Sequence, residues 1–174
     1  MSNSEYSIRI AKIEEFESIG KLMVQVYAAL DGFPKPDEQP KYYEFLANVG
    51  ELTSKPGTEI LVSVSSDETI AGAVVYFGDM QYYGSGGTAT QEKNAAGFRL
   101  LAVDNSVRGK GIGKSLTLAC LDKAKNQKQK QMIIHTTNAM KPAWKMYEAI
   151  GFKRSEDLDF KQGDLDVFGF RLQL

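Results

Sequence analysis

Between Arg108 and Ser115 the chain reads Arg-Gly-Lys-Gly-Ile-Gly-Lys-Ser, which puts three glycines and three cations into one short turn. Glycine lets the main chain approach an anion closely, and cations add formal charge. Ile112, Leu116, Ala119 and Cys120 then recur at i, i+4, i+7 and i+8, one face of a helix that begins inside the turn. The first N–H groups of a helix lack internal partners and carry partial positive charge. A phosphate or pyrophosphate is therefore the ligand this chemistry suits, although glycine-rich turns also serve merely to reverse a chain. Two named phosphate motifs fail. A Walker A loop ending at Gly113 needs glycine where Arg108 stands, and a dinucleotide fingerprint from Gly109 needs glycine where Lys114 stands.

Other candidates are few. His135 is the single histidine, with an ordinary pKa of ~6.5 suited to proton transfer, and it could equally be a hydrogen-bonded strand residue. Cys120 is the single cysteine, on the apolar face of the helix, where a buried structural role is expected. Tyr147 lies on an apolar helix face and can be read as a core aromatic.

The elements that must position these residues can be read along the chain. Ser7 to Ile13 alternates as a first strand, and Ile19, Leu22, Met23, Val26, Tyr27 and Leu30 mark a helix ending at Asp31-Gly32. Residues 33 to 40 hold three prolines and read as a loop, followed by a helix over 41 to 52. Residues 59 to 64 and 69 to 77 form a hairpin. Residues 79 to 94 lack periodicity, and either fill space between strands or border a pocket. Phe98 to Val103 is a buried strand interrupted only by Arg99, and it feeds the glycine turn and the helix to Asn126. Gln131 to Thr136 is the next strand. Pro142 starts a helix closed by Gly151, and strands at 158 to 160 and 165 to 172 complete the chain. The order βααβββαβαββ gives an α/β fold, a mixed central sheet flanked by helices on both faces. The reading is one domain over residues 1–174.

Arg108 to Gly113 as R-x-x-G-x-G, after a strand and before a helix, resembles the acetyl-CoA site of the GNAT superfamily of N-acetyltransferases. Ala143 to Phe152, AWKMYEAIGF, is similar to the A-x-x-x-Y-E-x-x-G-F signature that follows it in that family. The element order also resembles the GNAT acyl-CoA N-acyltransferase fold, in which the two central strands splay apart around pantetheine. By this resemblance the pyrophosphate of coenzyme A rests on Arg108, Gly109, Lys110, Gly111, Ile112, Gly113, Lys114 and Ser115. The backbone of Leu101, Ala102 and Val103 pairs with pantetheine, and Tyr147 gives a proton to the sulfur. A phenol near pKa ~10 is protonated at neutral pH, as a donor must be.

The resemblance implies transfer of an acetyl group from acetyl-CoA to a primary amine of a small molecule by direct attack, without a metal. The alternative is a non-catalytic acyl-CoA-binding module on the same fold. The general base is His135, Glu92 or a water relay. Met140 stands where many family members carry asparagine. Substrate identity is expected in residues 30 to 43 and 77 to 94. Tyr27, Asp31, Phe33, Tyr82 and Tyr83 are candidate pocket residues, and Asp31 or Asp79 are candidate anchors for a cationic amine.

Composition bounds the partners. The 174 residues carry 21 basic and 22 acidic side chains, so no global basic field points to nucleic acid. Apolar residues make up 43% and charged residues 25%, ordinary for a globular chain. The longest apolar run, Ile70 to Phe77, is too short to span a bilayer, and the first thirty residues show no basic-then-apolar leader. A cytoplasmic protein without membrane contact is expected, as a monomer or the homodimer frequent in the family.

Overall fold

The structure, a computed structural model, describes residues 5–174. Among these residues eight strands form one sheet, in the order β1, β2, β3, β4, β5, β8, β6, with β7 paired to β8 beside that path. The strands are β1 Tyr6–Ile10, β2 Thr58–Ser65, β3 Ile70–Phe77, β4 Ala95–Val103, β5 Gln131–Thr136, β6 Lys153–Arg154, β7 Phe160–Gln162 and β8 Leu165–Gln173. The helices are α1 Phe16–Ala28, α2 Pro40–Ala47, α3 Ile112–Asn126 and α4 Lys141–Ile150. The mixed α/β architecture expected from the sequence is present, with one departure in order: β6 is an additional two-residue strand. It forms because Gly151, at φ 122°, closes α4 and turns the chain back so that Lys153 and Arg154 pair with Arg171 and Phe170 of β8.

Two hydrophobic cores lie on the two faces of the sheet. One packs Ile19, Met23, Val26 and Tyr27 of α1 and Leu46 of α2 against Val62, Val75 and Phe77. The other packs Ile112, Leu116 and Cys120 of α3 and Tyr147 of α4 against Val74, Phe98, Ile134 and Phe170. The alternation of apolar residues along β2 and β3 sends successive side chains to opposite cores, as the pleat requires.

Several boundaries moved for local reasons. β1 stops at Ile10 because Arg9 turns to a bidentate pair with Glu15 at 2.8 and 2.9 Å, while Glu15 also accepts from the Lys12 N–H. Ile13 is consequently 79% exposed, in a short turn rather than in the strand. The helix read over 41 to 52 becomes α2 and a separate 3-10 turn, Val49–Ser54. Residues 156–158 form a turn buried through Leu158, and the strand begins at Phe160.

The sheet has two irregularities that matter for function. β4 and β5 run parallel but pair only at Ala95↔Gln131, Ala96↔Met132 and Gly97↔Ile133. Beyond that point β4 stays with β3 as far as Val103↔Gly72, and β5 stays with β8 as far as Thr136↔Phe168, so the two central strands separate. β4 also carries a bulge. Leu100 and Leu101 stand opposite the single residue Val74, and Leu100 adopts φ 60°. A bulge breaks the alternation of faces and re-aims side chains. Here Leu100 and Ala102 join the α1 core, whereas Ala96 and Phe98 face α3.

Candidate active site

The glycine turn is built by short-range bonds. The Asp104 carboxylate accepts from the Ser106 N–H at 2.9 Å and the Ser106 hydroxyl at 2.8 Å, which folds Asn105–Val107 into one 3-10 turn. Those bonds hold the Asp104 carboxyl below its ordinary pKa. Gly109 and Gly111 take φ 83° and 75°, values an L side chain adopts only with strain. A Cβ at either position would meet nothing within 4 Å, so the space beside this backbone is open. α3 starts with no side-chain cap and no acidic residue in its first turn. Ser115 N–H is the first to bond inside the helix, to Gly111 O at 3.0 Å. The N–H groups of Ile112, Gly113 and Lys114 find no partner among the described residues. Arg108 and Lys114 likewise have no carboxylate partner there.

A cavity of about 510 Å³ opens where β4 leaves β5. Arg108, Gly109, Gly111, Ile112, Gly113 and Lys114 form one end of it, and Leu101 and Val103 of β4 form a wall. Ala102 lies in the α1 core on the other side of the strand. Lys110 turns away from the cavity to Glu5, at 3.3 Å, and to the Tyr6 ring. Ser115 is exposed outside it. Tyr147 reaches the cavity from α4, its ring 5.8 Å from both Phe98 and Phe152. Burial raises the Tyr147 pKa, so the phenol stays protonated across neutral pH, and its hydroxyl has no hydrogen-bond partner among the described residues. Cys120 is buried in the α3 core with its thiol pKa pushed up by desolvation, and it does not border the cavity.

The two side chains considered as bases sit in different places. His135 borders the cavity, but both its ring nitrogens are engaged. Nε2 lies 2.9 Å from Leu158 O, and a carbonyl can only accept, so Nε2 carries the proton. Nδ1 then accepts from the Tyr83 hydroxyl at 3.0 Å. Burial lowers the His135 pKa to about 4, which leaves a neutral imidazole at pH 7. Glu92 lies away from the cavity in an ion pair with Arg171, which also bonds Asp157 at 2.5 Å and Gln131 at 2.8 Å. That carboxylate is committed to holding the loop before β4 against β8.

A second, smaller cavity of about 70 Å³ adjoins the first on the α1 side of the sheet. Tyr27, Arg99, Leu100, His135, Thr136 and Met140 border both. Phe33, Tyr42, Tyr83 and Phe160 complete its aromatic wall. The loop at 79–94 is therefore ordered and borders a pocket. Met80, Tyr83 and Ala89 are buried, and the Tyr83 ring lies over Gly97, where a Cβ would come within 2.7 Å of it. Tyr27, Phe33 and Tyr83 are among the wall residues named from sequence, whereas Tyr82 is not in the wall. Asp31 is exposed outside the cavity, and Asp79 caps the following turn by accepting from Gln81 N–H at 3.0 Å. Arg99, Thr136 and Phe160 were not assigned to this site from sequence. A signal for Arg99 was present, since it is the only charge in an otherwise apolar strand; Thr136 and Phe160 gave none.

Comparisons with known proteins agree with this architecture. The Acetyltransferase (GNAT) family profile matches residues 23–152. The uncharacterized N-acetyltransferase YjgM of Escherichia coli K12 is 28% identical over 124 residues, 70% of this chain and 72% of that protein. Human N-acetyltransferase 8B is 36% identical over 55 residues, 32% of this chain and 24% of that protein, so the matched stretch spans about a quarter of that relative. Among solved structures, an acetyltransferase of the GNAT family from Staphylococcus aureus Mu50 superposes with a TM-score of 0.73 at 16% identity, covering 97% of this chain and 98% of the other. YncA of Salmonella typhimurium, solved with its cofactor acetyl-CoA, gives 0.66 at 16% identity, covering 97% and 94%.

Proposed function

The chain belongs to the Acetyltransferase (GNAT) family, and from that premise we propose that it transfers an acetyl group from acetyl-CoA to a primary amine by direct attack. The observation that carries this reading is the convergence on one cavity of a glycine turn, an uncapped helix N-terminus and the unpartnered Tyr147 hydroxyl. Arg108, Lys114 and the free N–H groups of Ile112, Gly113 and Lys114 suit a pyrophosphate, and the open side of Gly109 and Gly111 admits it. The edge of β4 that leaves β5 offers main-chain groups at Leu101 and Val103 to an extended amide chain such as pantetheine. Acetyl-CoA supplies the acyl group: a new C–N bond replaces the thioester C–S bond, one proton leaves nitrogen and one reaches sulfur.

Tyr147 is the group fitted to protonate sulfur, since burial keeps its proton on at neutral pH. Direct attack is favoured because the only cysteine is buried away from the cavity with a raised pKa, so no thiol is placed to carry the acetyl group. His135 acts here as the acceptor that fixes Tyr83 rather than as a free base, and with Glu92 engaged elsewhere a water relay takes the amine proton.

Calorimetric titration with acetyl-CoA, with ATP and NAD in parallel, tests the cofactor. Saturable binding of acetyl-CoA alone is expected. Binding of a nucleotide without acetyl-CoA binding would remove the reading. Release of coenzyme A thiol in the presence of amines then separates an enzyme from a module that only binds the cofactor.

A further inference from the structure

This inference rests on the acetyl-transfer reading and concerns the acceptor. We infer that the acceptor is an amino-carboxylic acid, a primary amine whose carboxylate is held by Arg99 at the seam between the two cavities.

Four of the five arginines have clear roles or solvent. Arg9, Arg154 and Arg171 each pair with a carboxylate, and Arg108 is exposed at the glycine turn. Arg99 is different. It is part-buried in the middle of β4, and it has no carboxylate partner among the described residues. Its guanidinium is nevertheless held in place. Nη1 donates to Tyr83 O at 2.9 Å, and the group lies 5.7 Å from the Phe45 ring centre and 5.6 Å from that of Tyr83. Nε and Nη2 have no partner among the described residues. A cation taken partly out of water without a counter-charge is costly, and such groups are normally paired.

The bulge next to it accounts for the placement. Arg99 would be followed on the opposite face by its neighbour in a regular strand, but the extra residue sends Leu100 to the α1 side, and both Arg99 and Leu100 border both cavities. Among the described residues, no aspartate or glutamate borders either cavity. A polyamine or other polycation would therefore meet a guanidinium and no counter-charge. A carboxylate would meet two free N–H donors of a planar fork, the geometry in which arginine binds it best, in surroundings of low polarity formed by Tyr27 and Tyr42. Thr136 supplies an independent sign that a polar ligand belongs here: it borders both cavities, it is 2% exposed, and its hydroxyl has no partner among the described residues. Buried hydroxyls are nearly always bonded.

A carboxylate on Arg99 leaves an α-amino group within two bonds of it, at the seam that opens toward Tyr147. The remaining substituent faces a wall in which Phe33, Tyr42, Phe160, Leu165 and Val167 outnumber Ser85, Thr137 and Gln162, which favours a mostly apolar side chain.

The experiment follows thiol release from acetyl-CoA with L-leucine, L-methionine and L-phenylalanine, against isoamylamine, 3-(methylthio)propylamine, 2-phenylethylamine and spermidine. Binding of acetyl-CoA is measured separately by calorimetry. At least one amino acid is expected to exceed its decarboxylated partner in kcat/KM by about a hundredfold. Arg99→Gln should erase that ratio through KM while acetyl-CoA affinity stays as in the wild type. Arg99→Lys, which keeps the charge and loses the fork, should restore part of it. Equal or better turnover of the decarboxylated amines or spermidine overturns the inference. So does acetyl-CoA binding with no turnover of any amino acid, which leaves the cofactor reading standing. Failure to bind acetyl-CoA would remove that reading and this one together.

Discussion

The two halves of the site are built in different ways. The half read as the cofactor side comes from near-continuous sequence: the wall Leu101 and Val103, the turn from Arg108 to Lys114, and Tyr147 one crossover later. The half read as the acceptor side draws Tyr27 from α1, Phe33 and Tyr42 from the segment around α2, Tyr83 from a loop, Arg99 from β4 beside its bulge, His135 and Thr136 from the end of β5, and Phe160 from β7. Backbone supplies most of the first half, while side chains from distant elements supply the second. A backbone-lined site survives many substitutions around it. A side-chain site changes its ligand with each one. The same scaffold can therefore keep one cofactor and vary its acceptor.

Four changes would break or sharpen that contrast. The largest effect is expected from Tyr147→Phe, which removes the hydroxyl proposed to protonate sulfur and little else. Turnover should fall about a hundredfold with acetyl-CoA affinity unchanged, and full activity would take Tyr147 out of the chemistry. Next comes the acid sensitivity of the acceptor half. His135 has a folded pKa of about 4 against an ordinary 6.5, so between those values the unfolded chain binds the extra proton. Its contribution to stability is whole above pH 6.5 and is lost as pH falls toward 4. Between pH 7 and pH 5 the loss is about 2 kcal/mol. Urea unfolding should show that loss in the wild type and a smaller one in His135→Gln; parallel slopes would mean other groups dominate.

A smaller effect is expected at the turn. Gly111→Val forces a branched side chain into φ 75° on the open side of the cavity. The affinity for acetyl-CoA should drop about tenfold, or 1.4 kcal/mol, with the far-ultraviolet circular dichroism retained. Unchanged affinity would show that the turn is only structural. The smallest effect separates members of the turn from one another. Ser115→Ala lies outside the cavity on an exposed helix face, and a change of about twofold or less in the same titration is expected. A large loss there would mean that the hydroxyl swings to the ligand.

Lys110 illustrates how sequence and structure divide the work within that turn. Spacing alone groups it with Arg108 and Lys114 as a third cation for a phosphate. The backbone at Gly109 and Gly111 instead directs its side chain to Glu5 and the Tyr6 ring. Glu92 and His135 teach the same point for the general base. Each has the right functional group within reach in sequence, and each is committed by a partner far along the chain: Arg171 for Glu92, Leu158 and Tyr83 for His135.

What the sequence determined by itself was local. Helical periodicity placed α1, α3 and α4, short apolar runs between turn signals placed the central strands, and glycines between cations marked a turn at a helix start. These are features that short-range sterics and the burial of one face decide within a few residues. The tertiary structure alone decided the rest. The separation of β4 from β5, the bulge beside Arg99 that leaves it and Leu100 on both cavities, the Tyr83 ring over Gly97, and the lack of a carboxylate partner for Arg99 among the described residues all depend on which distant residues meet. A side chain's chemistry is set by its type, but its availability is set by its partners, and those partners are brought together only when the chain folds.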